Sequence, residues 1–289
     1  MNRMSLDGVE LEYDVTGSGD PVLLIGTGPI ADSFVPLLSQ RPLVERYRLI
    51  TYHQRGQAGS TRGAPVSYAD HAADADALLN HLGIDRAHVA GHSTGGVVAL
   101  QLAVDRPDVV HSLVLLEPLL MGVPAAGALL EKAGPALAAY GAGDTETAMT
   151  QFLSVACSLD WQACRTVIEK HVPGGVAQAI RDADTFFGSY LPGLAGWQFG
   201  PDQAGSISQP VLSVLGTATD QLFVEGRSLL HSWFPQVEDC TIDGVAHLLH
   251  IQQPAPVARC VADFLARHSL SLSERAAGRS PSSSATPLR

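Results

Sequence analysis

From Val9 to Val15, apolar and charged side chains alternate after an Asp7-Gly8 pair, which predicts a half-buried antiparallel strand closing a hairpin at a sheet edge. Four later runs are different. Val22–Ile25, Leu49–Tyr52, Ala87–Ala90 and Leu113–Leu116 are short and almost continuously apolar, as parallel strands covered on both faces must be. Helical patterns occupy Tyr68–Leu82 and Gly95–Val104, the second ending at Arg106-Pro107. Strand and helix therefore alternate as in an α/β fold with a mostly parallel central sheet, an antiparallel N-terminal strand and flanking helices.

After Glu117-Pro118 the alternation stops, and helical segments follow one another until Gln209-Pro210. It resumes with a strand at Val211–Leu215, a helix around Arg227–Trp233, a strand near Val237–Ile242 and a last helix from Pro256 to about His268. The expected organisation is a core in two parts, residues 1–117 and 209–268, interrupted by a helical cap at 118–208. The segment 269–289, rich in Ser, Ala and Arg without an apolar period, reads as a disordered tail.

Hydrophobic residues make up 46% of the 289 and charged residues 16%, a globular balance that excludes wholesale disorder. The net charge of −11 argues against nucleic acid or an anionic membrane as partner and favours a neutral or apolar small molecule. The first residues lack the apolar stretch of a secretory signal, and no uncharged run reaches the ~18–20 residues of a membrane span, so a cytoplasmic location is expected. Cys157, Cys164, Cys240 and Cys260 show no metal-ligand spacing and read as reduced, mostly packed thiols, with no metal implied.

The chemistry concentrates at Gly91-His92-Ser93-Thr94-Gly95, an apolar strand running directly into a Val- and Ala-rich helix. This is a nucleophile elbow: the sharp turn strains Ser93 and exposes its hydroxyl, and the small residues at 91 and 95 let neighbouring chains pass close by. The turn also aims the helix N-terminus and the Thr94 amide at the place where an oxyanion would form. With this strand-turn-helix context, the chain from about Leu6 to His268 resembles the α/β-hydrolase-fold serine hydrolases, which implies that fold with a helical cap and no cofactor. The run Tyr52-His53-Gln54-Arg55-Gly56 resembles the family's Arg-Gly loop, in which His53 and Arg55 are expected to serve loop architecture.

A serine hydroxyl becomes nucleophilic only beside a general base that a carboxylate orients. The resemblance places the base at His247, directly after the last strand, with His250 as local competitor. For the acid it offers two positions. Asp220, in the loop after Val211–Leu215, is the leading choice, and Glu117, at the end of Leu113–Leu116, is the alternative. The second oxyanion donor is expected from Ile25-Gly26-Thr27-Gly28-Pro29, where Gly28 and Thr27 both remain candidates. His92, Phe186 and Phe187 are expected to contact substrate under an apolar cap.

The activity implied is hydrolysis of an ester or lactone of a small, largely apolar molecule through an acyl-enzyme on Ser93. Carbon-carbon bond hydrolysis, cofactor-free perhydrolysis and a ligand receptor with vestigial turnover are the alternatives on the same constellation.

Overall fold

The computed structural model describes residues 1–6, 8–63 and 66–270. Eight strands form one sheet in the order β1-β2-β4-β3-β5-β6-β7-β8. They are β1 (Asn2–Leu6), β2 (Val9–Gly17), β3 (Asp20–Ile25), β4 (Tyr47–Tyr52), β5 (Ala87–His92), β6 (Val110–Leu116), β7 (Val211–Gly216) and β8 (Glu238–Ile242). The hairpin β1–β2 is antiparallel, as is β2 on β4, and every pairing from β4 to β8 is parallel. The expected α/β class holds, with one refinement: β1 takes the edge and β2 lies inside it.

The helices in chain order are α1 (Val35–Leu38), α2 (Arg41–Val44), α3 (Tyr68–His81), α4 (Thr94–Asp105), α5 (Ala126–Gly141), α6 (Thr145–Cys157), α7 (Trp161–His171), α8 (Gly175–Arg181) and α9 (Ala183–Thr185). A π-helical turn at Phe186–Tyr190 leads into α10 (Leu191–Gly196), followed by α11 (Pro201–Gly205), α12 (Gln221–Trp233), α13 (Leu249–Gln252) and α14 (Pro254–Arg267). Leu78, Val98 and Leu230 of α3, α4 and α12 pack on one face of the sheet, and Leu37, Leu43, Val257 and Phe264 of α1, α2 and α14 pack on the other. The helices between β6 and β7 carry a core of their own around Met149, Leu153, Ile168, Phe186 and Tyr190.

α3 starts where its sequence says it should: the Ser67 side chain accepts from Asp70 N and the Asp70 carboxylate accepts from Ser67 N, a reciprocal cap. None of the described helices is long and apolar enough to cross a membrane. The tail expected at 269–289 lies outside the described residues from 271 onward. One cysteine expectation is corrected. Cys240 of β8 and Cys260 of α14 form a disulfide, because strand and helix pack side by side with the two Cα atoms 6.5 Å apart, while Cys157 and Cys164 are free and buried.

The tightest packing lies where β5 turns into α4. A Cβ on Gly95 would fall inside contact distance of the Ile25 carbonyl oxygen of β3, and one on Gly91 would fall on Gly95 O. Strand β3 and the start of α4 therefore cross with no room for a side chain. Gly95→Ala is expected to destabilise the fold by at least ~2 kcal/mol, as overpacking against rigid backbone does. Gly127→Ala, in the exposed first turn of α5 with open space around it, is expected to be neutral or to stabilise by up to ~1 kcal/mol. Urea denaturation midpoints of the two variants test the contrast, and equal shifts would refute it.

Candidate functional site

Ser93 occupies the junction of β5 and α4 with φ 55° and ψ −119°, a conformation that a side-chain-bearing residue rarely adopts. Its amide donates to Leu116 O of β6, and its carbonyl accepts from Leu119 N and Gly96 N. The strain is thus held from both neighbouring segments. Glu117, at the end of β6, has the same signature with φ 42°. Two strained residues at the ends of adjacent strands place their side chains at one edge of the sheet.

Asp220 was the leading choice for the carboxylate beside His247, and the structure corrects it. Glu117 Oε2 lies 2.7 Å from His247 Nδ1. The Glu117 carboxylate is fully buried and also accepts from Gly216 N at 2.8 Å and Thr219 Oγ1 at 2.9 Å. Asp220 instead caps α12, accepting from Leu222 N at 3.0 Å, and pairs with Lys132 Nζ of α5 at 2.8 Å. Burial would raise the Asp220 carboxyl, but the Leu222 amide and the Lys132 ammonium outweigh it and hold it below the usual carboxylate range.

The His247 imidazole is fixed on both faces. Phe223 of α12 stacks on it with ring centroids 4.0 Å apart and planes 10° from parallel, and His92 covers the other side at 4.5 Å. His92 Nε2 donates to His247 O at 2.9 Å, which pins the backbone of the loop that carries the imidazole. With Nδ1 of His247 committed to Glu117, Nε2 is left to serve as acceptor. Ser93, His247 and Phe223 all line one cavity of about 370 Å³ beneath the inserted helices. His250 is buried behind His92, with ring centroids 4.3 Å apart, and is not among the residues lining the cavity.

The Gly26–Gly28 loop is held from behind by residues to which the sequence reading gave no role. Gln54 Nε2 donates to Gly26 O at 2.9 Å, and Gln57 Nε2 donates to Thr27 O at 3.0 Å and Gly28 O at 2.7 Å. Both amides are buried, and a buried amide in so tight a Gln-Arg-Gly-Gln loop must find backbone partners, which was the available signal. Of the candidate donors, Gly28 N donates to Thr94 Oγ1 at 2.7 Å and Thr27 N to Ser33 Oγ at 3.4 Å. The Thr94 amide is in the first turn of α4, where a helix offers N–H groups no internal acceptor. His53 bridges Glu12 and Asp32, and Arg55 makes a two-pronged pair with Asp74, the architectural roles expected of them.

Phe186 and His92 line the cavity, and Phe186 packs against Gly28. Phe187 is corrected: it is not among the lining residues and stacks on Tyr140 at 4.8 Å within the core of the inserted helices. The ring of Phe223 was missed, although an apolar residue in the first turn after a capping Asp is a recognisable core position.

Burial holds His92 well below the ordinary histidine value, reinforced by His250 and His247, and pushes His250 down to about 3. Both stay neutral in the folded chain while the unfolded chain protonates them, so stability is lost as pH falls below about 6.5. Each is expected to cost about 2 kcal/mol between pH 7 and pH 5. Urea unfolding across this range should show the decline, and His250→Phe should flatten it by about one histidine's share. An unchanged slope would contradict the assignment.

A family model of the alpha/beta hydrolase fold matches residues 21–254. A putative carbamate hydrolase, RutD, of Caulobacter vibrioides is 34% identical over 122 residues, 40% of this chain and 45% of that protein. The chain spans less than half the length of the curated relatives it matches. Among solved structures, a thermophilic esterase from Thermogutta terrifontis superposes with a TM-score of 0.74 at 23% identity, covering 93% of this chain and 100% of the other. The enol-lactonase of Burkholderia xenovorans LB400 does so with 0.74 at 18% identity, covering 92% and 100%. With strained Ser93, the shared cavity and this match over most of its length, the chain belongs to the alpha/beta hydrolase fold family.

Proposed function

We propose that the protein is a serine hydrolase that cleaves an ester or lactone of a small, largely apolar molecule. The observation that carries this reading is the buried Glu117–His247 pair, whose imidazole opens into the same cavity as Ser93. Ser93 Oγ attacks the carbonyl carbon as His247 Nε2 takes its proton, and Glu117 stabilises the imidazolium that results. The tetrahedral intermediate collapses, the leaving oxygen takes the proton from His247, and water then cleaves the acyl-enzyme by the same route in reverse order. The sequence of steps balances without a cofactor.

The oxyanion rests on Thr94 N–H and on Gly28 N–H. Thr94 Oγ1 now occupies the Gly28 amide, and a χ1 rotation of Thr94 releases that amide to the substrate. Gln57 keeps the loop in register by holding the Thr27 and Gly28 carbonyls on the opposite side. The names of the similar proteins, an esterase, an enol-lactonase and a putative carbamate hydrolase, are consistent with acyl transfer to water.

A fluorophosphonate probe is expected to label wild-type protein at Ser93 and to leave Ser93→Ala unlabelled, with cleavage of p-nitrophenyl butyrate lost in parallel. Failure of the wild type to label would refute the reading. Glu117→Gln is expected to lower kcat by about 10³–10⁴, as loss of the orienting carboxylate does in a triad. Asp220→Asn is expected to change kcat less than about threefold and to lower stability by at most ~1 kcal/mol through its cap and ion pair. The reverse ranking would return the acid role to Asp220.

A further inference from the structure

The walls of the cavity divide by chemistry. Its polar side chains, Thr27, His92, Ser93, Thr94 and His247, belong to the site just described, and the remainder of the lining is aliphatic, aromatic or thiol. Among the described residues, Lys, Arg, Asp, Glu, Asn and Gln are absent from the lining, so a carboxylate or ammonium buried against these walls would lose water without gaining an ion-pair partner from a Lys, Arg, Asp or Glu. This arm of the chamber selects for uncharged, apolar groups.

Two helices of the insertion, α5 and α6, form a large part of its wall. α5 contributes Leu129, Ala133 and Leu137 at four-residue spacing, and α6 contributes Leu153 and Ala156. The stretch from Leu129 to Leu137 runs ~12 Å along α5. Leu137 is 42% exposed and Leu130 is 55% exposed although both line the cavity, so the chamber reaches the surface along this helix. Alanines at 133 and 156 leave the space that larger side chains would fill. A volume of about 370 Å³ holds on the order of ten to twelve non-hydrogen atoms at ~30 Å³ for each water-sized group. That room, open to the surface along α5, takes an aliphatic group running from the Ser93 end toward Leu137.

We propose, resting on the serine hydrolase reading above, that the chamber takes an uncharged aliphatic chain of roughly six to ten carbons, with Ala133 and Ala156 setting its length. The chain can be carried on the acyl or the alkoxy side of the ester, and the same apolar contacts serve either. Each methylene that fits is worth about fourfold in kcat/KM, and the gain stops where the chamber ends.

The test compares p-nitrophenyl esters from acetate to laurate, and in a second arm the acetates of ethanol to dodecanol, on wild type, Ala156→Leu, Ala133→Leu and Leu153→Ala. In one arm kcat/KM is expected to climb at least tenfold to a maximum between six and ten carbons. Ala156→Leu and Ala133→Leu should move that maximum down by two carbons or more, read for each variant as kcat/KM relative to its own two-carbon substrate. Leu153→Ala should move it up, a shift that misfolding cannot imitate. Profiles that are flat in both arms, or that stay fixed in all three variants while Ser93→Ala abolishes turnover, overturn the chain-length proposal and leave the hydrolase reading intact. Should the wild type cleave no ester, the hydrolase reading fails and binding decides the chamber separately. In that measurement methyl octanoate should raise the melting temperature of Ser93→Ala, and methyl acetate and octanedioate should not. Equal shifts from all three ligands overturn the proposal.

Discussion

A carboxylate with no access to water organises the functional edge of this molecule. Glu117 ends β6, yet its oxygens are held by Gly216 at the end of β7, by Thr219 in the loop beyond and by His247 after β8. A buried charge left without these donors would be expensive, so the four segments must meet correctly for the chain to fold at all. The helices from α5 to α11 lie between Glu117 and its three partners in sequence. These hydrogen bonds therefore close the core across an insertion of almost a hundred residues, and the imidazole receives its orientation from the same carboxylate that ties the two core parts together.

The strain at Ser93 and Glu117 has a common origin. Both residues stand at the C-terminal ends of adjacent parallel strands, where the chain must leave the sheet within one residue. At Ser93 the departure is forced by α4 lying almost on β3, an approach that Gly95 permits, while Gly91 leaves room for the first turn of α4 to fold back on β5. At Glu117 the following Pro118 packs over Gly96 of α4, so the second bend leans on the first. The hydroxyl and the carboxylate are placed by backbone that has no freedom to relax, which is the condition for a site that needs little reorganisation during reaction.

How much of this was legible depended on the range of the interaction. The elbow was readable because strand, glycines and helix are contiguous, and the alternation of apolar runs fixed the sheet. The carboxylate partner of His247 was not, because Asp220 and Glu117 each follow a strand and each reaches the same edge. Only the third dimension separates a residue whose carboxylate turns inward from one that turns back to cap its own helix. A local hint did exist, since Asp220 precedes the apolar residues Leu222 and Phe223 as an N-cap should. The Cys240–Cys260 link was out of reach for a different reason: twenty residues of unrelated strand, loop and helix separate the two, and their proximity is a product of packing alone. Phe187 was misplaced because neighbouring aromatic residues on a π-helical turn point in different directions, and periodicity does not say which faces the void.

The two halves of the site obey different constraints, and this explains why a single chain can hold both. The polar half is built on strand ends, and a substitution that removes the hydrogen-bonding group of Glu117 or His247 leaves a buried group without its partner. The apolar half draws on α5, α6 and neighbouring segments, whose contacts are non-directional and tolerate changes of volume so long as the helices still pack. Lys132 and Glu225 tether this half to the core from outside the cavity, through Asp220 and the Ala125 amide, without lining it. The Glu117–His247 pair at the sheet edge is thereby separated from the helices above it, and the size of the cavity can change by one or two side chains without touching the hydrogen bonds of that carboxylate.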